Sequence, residues 1–176
     1  MTSVKIARPD PSEYVQYFGT YVDKVPGGDI LVLLREQVEE TVNAVRGLTD
    51  QAALFRYAPG KWSVKEIIGH VSDTERIFVY RALCFARGEK QSLPGFDENQ
   101  YVAGARFDDR PLSDHLAELR EVRVSTLRFF AALNADELMR TGVANKNKYS
   151  VRAVPYIIAG HERHHLAVIK ERYLKK

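Results

Sequence analysis

Apolar side chains recur at helical spacing in four long stretches of this chain. The stretches begin at or just after Asp29, Ser63, Ser113 and Ser150, and within each the apolar residues return every three or four positions. That spacing gathers them on one helix face, which must then be buried. Asp29 and Ser150 are typical helix N-caps, and Ser63 with Glu66 forms a capping box. The pattern predicts four long amphipathic helices.

Residues 13–23, before the first long helix, have a shorter helical pattern that is rich in tyrosine and phenylalanine. Pro26-Gly27-Gly28 ends it, because a proline followed by two glycines breaks a helix. Strand patterns are scarce, and residues 145–149 are predicted to be a polar turn. We therefore predict an all-α fold, a four-helix bundle with a short N-terminal helical lead-in, that forms a single domain over residues 1–176.

Residues 89–112 are predicted to be a long connector between the second and third long helices. A connector of this length in a compact domain is often functional, as a lid or as a pocket wall. Its aromatic residues Phe96, Tyr101 and Phe107 are therefore expected either to line a pocket or to pack against the bundle.

Composition and charge exclude several classes of protein. The 26 basic and 23 acidic residues are interleaved and leave a net charge of +3, so we expect no clustered basic face for nucleic acid. No apolar run approaches the ~18 residues of a membrane span, and no apolar leader is present, so we expect no membrane association. Cys84 is the single cysteine, which excludes an intrachain disulfide. We expect it to be an inert core thiol in a cytoplasmic protein.

Three of the five histidines lie within residues 161–165. His161 and His165 are four residues apart on the stripe predicted to face the core, so one metal ion could join their imidazoles. A third ligand could come from His70, on the buried stripe of the second long helix after Gly69, or from His115 at the start of the third. His70 is preferred, because His115 is expected to be solvated. The alternative is that all are core or surface histidines held by hydrogen bonds.

Three imidazoles with an open fourth position are typical of catalytic zinc, and they also suit nickel, iron, copper or manganese. The segment also matches the His-Glu-x-x-His motif of zinc proteases through Glu162. That hypothesis is disfavoured, because Val168 replaces the glycine needed to bring Glu171 round as a third ligand. His164 projects away from His165 and is expected to be exposed or at an interface.

Two segments carry a resemblance to a known family. Residues 62–76, Trp-Ser-Val-Lys-Glu-Ile-Ile-Gly-His-Val-Ser-Asp-Thr-Glu-Arg, and residues 160–166, Gly-His-Glu-Arg-His-His-Leu, resemble the ligand segments of DinB-like (YfiT-like) proteins. Pro94-Gly95-Phe96-Asp97 is also similar, and the resemblance extends over residues 29–173. It implies a four-helix bundle, often a homodimer, with one divalent metal ion on His70, His161 and His165.

The resemblance also implies a class of chemistry. It implies an enzyme that uses a bacillithiol, mycothiol or glutathione-type thiol. A metal with an open position can convert such a thiol to a thiolate. We therefore predict a metal-dependent transferase that joins a low-molecular-weight thiol to small electrophiles. Arg76 and Arg81 could bind carboxylates of such a thiol, although surface ion pairs with Asp73 or Glu75 are the alternative.

Two other functions stay open. A metal-dependent hydrolase would need a general base, for which Glu162, Asp73 and Asp97 are the candidates. Asp73 could instead orient a ligand imidazole. The second alternative is a metal-binding stress protein without catalytic activity, in which the fourth position would be closed to a substrate.

Overall fold

The computed structural model describes residues 5–175, and its four longest helices form the predicted bundle. A 3-10 turn at Pro11–Glu13 precedes the first helix. The elements in chain order are α1 Gln16–Val22, α2 Ile30–Val45, α3 Asp50–Ala53, α4 Val64–Ala86, α5 Glu98–Ala105, α6 Leu112–Ala131, α7 Ala135–Met139, β1 Thr141–Ala144, β2 Asn147–Ser150 and α8 Ala153–Arg172. The bundle consists of α2, α4, α6 and α8, and the predicted fold class is confirmed.

The predicted N-caps of α2 and α4 are present. The Asp29 carboxylate accepts hydrogen bonds from the first turn of α2, and Ser63 and Glu66 form the reciprocal capping box of α4. These contacts satisfy N–H groups that have no partner within the helix. Both helices therefore begin where the sequence predicts.

The connector over residues 89–112 was predicted to lack structure, and that prediction is wrong. It contains α5, a 3-10 turn at Phe107–Asp109, and the first residue of α6, which begins at Leu112 rather than at Ser113. Val102 is the single buried residue of α5, so this helix has almost no apolar stripe. A helix without a stripe gives no periodic signal to read.

The polar turn predicted at residues 145–149 is instead part of a hairpin in which β1 and β2 pair antiparallel. Asn145 and Lys146 both have positive φ, 49° and 63°, as a tight two-residue hairpin turn requires. Ser150 ends β2 and lies outside α8. Its hydroxyl still accepts a hydrogen bond from the N–H of Ala153, the first residue of α8. Ser150 therefore makes the predicted capping contact, although it lies three residues before the helix.

The N-terminal helix α1 packs along α8, and α8 also contacts α2 and α4. Phe18 and Val22 of α1 are buried in the larger of two apolar clusters, together with Phe85 and Phe130. The lead-in is therefore an integral wall of the bundle. Within residues 5–175, no helix combines the length and the apolar character needed to cross a membrane.

Candidate metal centre

Three imidazoles from two helices converge on one point. His70 lies on α4, and His161 and His165 lie one turn apart on α8. The Nε2 atom of His161 is 3.1 Å from Nε2 of His70 and 3.1 Å from Nε2 of His165. The candidate ligand atoms of the three residues all lie within 4.8 Å of one another.

This geometry fits a metal ion better than it fits hydrogen bonding among the rings. A neutral imidazole nitrogen is either a donor or an acceptor, so the His161 Nε2 cannot bond well to two similar nitrogens at once. Ligand nitrogens at about 2.0–2.1 Å from a tetrahedral ion would be roughly 3.3 Å apart. The observed 3.1 Å separations are close to that value.

Burial favours the neutral form of all three rings. Desolvation lowers the pKa of His70 to about 4 and the pKa of His165 to about 3, and it holds the pKa of His161 well below the ordinary value. A neutral imidazole is the form that binds a metal ion, and here no proton must be displaced near neutral pH.

Trp62, just before α4, covers two of the three imidazoles. Its ring centroid is 4.6 Å from that of His70 and 6.2 Å from that of His165, the latter with nearly parallel planes. The Thr74 hydroxyl lies 3.5 Å from His70 Nδ1, at the outer limit of a hydrogen bond. Thr74 therefore occupies the orienting position for which Asp73 was a candidate.

The other candidate ligand is engaged elsewhere. His115 was expected to be solvated, but it is buried, and its Nε2 lies 2.8 Å from the Phe107 carbonyl oxygen. Phe107 also covers Gly69, where an added Cβ would lie 2.4 Å from the ring. The glycine before His70 therefore makes room for this phenylalanine and not for a metal site. The ring of Phe107 thus packs against the bundle, which was one of the two alternatives expected for the aromatic residues of the connector.

A cavity of about 300 Å³ opens beside the three histidines. Aromatic rings form much of its wall, and polar groups face it from α4, α5, α8 and the hairpin. The lining residues besides the three histidines are Tyr17, Phe18, Tyr21, Trp62, Thr74, Phe78, Arg81, Phe96, Glu98, Ala144, Asn145, Asn147 and His164. Phe96 is thus a pocket wall, and Tyr101 packs on it with ring centroids 5.1 Å apart.

Several lining residues were not candidates from the sequence. Tyr21 lies edge-on to His161, with ring centroids 5.5 Å apart, and it also contacts His164. Tyr17 precedes Tyr21 by one helical turn, so the tyrosine spacing in the lead-in was the available signal. Asn147 comes from the hairpin, whose position beside the histidines no local pattern indicates.

The carboxylates proposed as general bases do not line this cavity. Glu162 is buried on another face of α8 and accepts hydrogen bonds from Gln37, Thr41 and Arg123. Asp73 pairs with Arg76 at 3.1 Å, and Asp97 caps α5. Glu98, which follows Asp97, is the one carboxylate among the described lining residues.

The two candidate thiol-binding arginines differ in position. Arg76 is exposed and pairs with Asp73, as the alternative considered above has it, and also with Glu118, whereas Glu75 pairs with Arg123. Arg81 is buried and lines the cavity. Cys84 was expected to be a core thiol, but it is only partly buried.

The comparisons with known proteins agree with this fold. A family model of the DinB superfamily matches residues 33–169. A relative from Oceanobacillus iheyensis, provisionally named a metal-dependent hydrolase, is 23% identical over 167 residues, which are 94% of this chain and 87% of that protein. YfiT from Bacillus subtilis, described as a probable metal-dependent hydrolase with an unusual four-helix bundle topology, superposes with a TM-score of 0.75 at 21% identity, over 96% of this chain and 94% of that one. With a family model that matches most of its length, this chain belongs to the DinB superfamily.

Proposed function

We propose that this protein is a metal-dependent hydrolase that acts on a small molecule. The observation that carries the proposal is the convergence of His70, His161 and His165 at the wall of a cavity of about 300 Å³. Such a set binds an ion and leaves a position open to the cavity. The provisional and probable hydrolase names of the two relatives support the same reaction class.

A bound divalent ion would supply a Lewis acid that polarises a carbonyl group and acidifies water. The protein's own residues have separate tasks around it. Trp62 and Tyr21 cover the imidazoles and keep bulk water from them. Glu98 is exposed and is the one carboxylate among the described lining residues, so it is the group proposed to accept a proton from water. Zinc or nickel is the proposed ion, with iron and manganese as alternatives.

The competing hypothesis is the thiol-dependent transferase. The site supports it in part, because Arg81 lines the cavity, whereas Arg76 is paired on the surface and lies outside it. The homodimer likewise stays a prediction. A thiol requirement in the assay separates the two reactions, since hydrolysis needs only water as the second substrate.

The test is turnover of a panel of small aryl esters and amides by zinc- or nickel-loaded protein, with and without added glutathione. We expect hydrolysis without thiol that is lost in His161→Ala and lowered in Glu98→Gln. Glu171→Ala, an exposed change on the same helix α8, should keep full activity. Conjugation of an electrophile that requires the thiol, with no hydrolysis, would overturn the proposal.

A further inference from the structure

Arg81 is a buried cation in the wall of the same cavity as the three histidines. The residue is 5% exposed, and its guanidinium carbon lies over the rings of Phe78 and Phe96, 5.6 Å and 5.8 Å from their centroids. Its Nη2 donates to the Pro94 carbonyl oxygen at 2.8 Å. Both aromatic faces attract the cation and shield part of it from water.

No described residue neutralises this charge. Within residues 5–175, no carboxylate oxygen lies within 4.0 Å of the Arg81 nitrogens, whereas the other buried arginine, Arg123, pairs with both Glu75 and Glu162. The neighbouring Tyr149 is no counterion, because burial raises the pKa of its phenol to about 12. A buried, unpaired charge is costly in free energy, and a bound anion would relieve that cost.

The unused donors of Arg81 are open to a ligand. Within residues 5–175, its one hydrogen bond comes from Nη2. The other two nitrogens, Nε and Nη1, keep some exposure to solvent. Since Arg81 lines the cavity, we take these N–H groups as the donors available to a ligand there. Two N–H groups of one guanidinium match the two oxygens of a carboxylate.

The helix places this cation at a defined distance from the histidines. Arg81 follows His70 by eleven residues on α4, which is about 16 Å along the axis and only ~20° round it. Side chains on a helix lean towards its N-terminus, so the long Arg81 side chain returns towards His70. His70 leans the same way, so only the extra length of the arginine side chain is recovered, and the guanidinium and the candidate metal site are roughly 13–16 Å apart along one wall.

We propose that the substrate is an ester or amide with a carboxylate that Arg81 holds. Contacts of about 3 Å at each end leave roughly 10 Å between that carboxylate and the bond that is broken. This inference rests on the proposed hydrolase function, because it uses the three-histidine site as the reacting end. Hydrolysis consumes one water molecule, breaks the acyl C–O or C–N bond, and leaves the Arg81-bound carboxylate on one of the two products. Arg81 would then select the substrate without taking part in the reaction.

The test compares N-benzoyl-6-aminohexanoate, whose extended chain spans roughly that distance, with its neutral primary amide. Binding is followed by the fluorescence of Trp62, the single tryptophan, which lines the cavity. We expect the acid to bind wild-type protein at least ~10-fold more tightly than the amide. Arg81→Gln should remove this preference, and Arg76→Gln, a surface arginine on the same helix, should keep it.

Both ligands are also titrated into metal-free protein, because a carboxylate can bind a metal ion directly. A preference that persists without metal supports Arg81, and one that disappears without metal overturns the proposal. Equal affinity of acid and amide in wild-type protein overturns it even if Arg81→Gln does not fold. Release of benzoate is measured separately, so that retained preference without turnover would refute the hydrolase and leave the carboxylate site standing.

Discussion

At Gly160, the backbone of the N-terminal helix α1 approaches α8 closely. A Cβ added there would lie 2.0 Å from the backbone oxygen of Tyr21, so only glycine permits the observed contact. The contact also places the Tyr21 ring against His161, one residue further along α8. A single missing side chain therefore connects the packing of α1 with the wall of the candidate metal site.

Gly160→Ala should destabilise the protein by at least about 1 kcal/mol, because a backbone oxygen cannot rotate away from the new methyl group. Urea unfolding measures the change. Gly104→Ala, in α5, is the matched control, since a Cβ there meets nothing within 4 Å and alanine is the better helix former. Equal stability of Gly160→Ala and wild type would contradict the packing described.

The three clustered histidines could be predicted from the sequence because two of them are four residues apart and the third lies on another buried stripe. The residues around them were less readable. Asp73 and Thr74 are three and four residues after His70, and helix periodicity alone does not decide which one turns inward. The structure places Thr74 beside the ring and Asp73 in an ion pair with Arg76.

At the scale of elements, a buried polar cluster joins all four long helices. Glu162 of α8 accepts from Gln37 and Thr41 of α2, both at 2.6 Å, and from Arg123 of α6 at 2.8 Å. Arg123 also pairs with Glu75 of α4 at 2.7 Å. Because each helix contributes at least one member, the cluster fixes their register and so the level at which α4 and α8 present their histidines.

Glu162→Ala should lower the free energy of unfolding by about 3–5 kcal/mol, since it leaves buried Arg123, Gln37 and Thr41 with an unfilled partner position. Chemical denaturation measures the loss. Glu171→Ala, exposed on the same helix, should stay within about 0.5 kcal/mol of wild type. A Glu162→Ala protein of normal stability with no activity would indicate instead a catalytic base, as in the zinc-protease motif.

A second polar contact holds the start of the chain to the start of α8. Arg152 donates from Nε to Glu13 at 2.7 Å, and this bond lowers the pKa of Glu13 to about 2. Because the pKa of Glu13 is lowered in the folded protein, its ionised carboxylate stabilises the fold at pH values above the ordinary pKa of 4.5. This stabilisation is lost as the pH falls from 4.5 towards 2.

The stability difference between wild type and Glu13→Gln should therefore be constant from pH 7 to about 5 and shrink below pH 4.5. Urea midpoints at a series of pH values measure it. A difference that grows on acidification would show that this ion pair has the opposite linkage or is absent in solution.

The long helices could be predicted because each has an apolar stripe, and α2 and α4 also begin at a side-chain cap. The short elements could not, and for different reasons. In α5 the stripe is absent, with Val102 alone buried, and the hairpin depends on two residues with positive φ, Asn145 and Lys146, neither of which is glycine. Such positions are set by tertiary contacts and leave little trace in local composition.

For the whole molecule, the cavity is assembled from segments that are remote in the sequence. It combines α1, α4, α5, the hairpin and α8, and His70 is separated from His161 by 91 positions. Hydrophobic periodicity predicts which face of each helix is buried, but it does not say which faces meet. The bundle was therefore predictable, and the identity of the cavity wall was not.

Because the histidines meet only in the folded chain, metal binding should stabilise the fold. At a free-ion concentration of ~100 times Kd the gain is about 2.7 kcal/mol, so chelation should lower the Tm by roughly 5–10 °C. Thermal unfolding with and without a chelator measures this shift. The shift should be absent in His165→Ala and present in His164→Ala, and an equal shift in both would place the ion elsewhere.

The most direct measurement is elemental analysis of the purified protein beside His70→Ala, His161→Ala and His165→Ala, with His164→Ala as the control on the same helix. We expect about one divalent ion per chain in wild type and His164→Ala, and loss of the ion in each of the other three variants. A wild-type protein that binds no divalent ion after reconstitution, or a His70→Ala protein that retains one, would contradict the three-histidine centre.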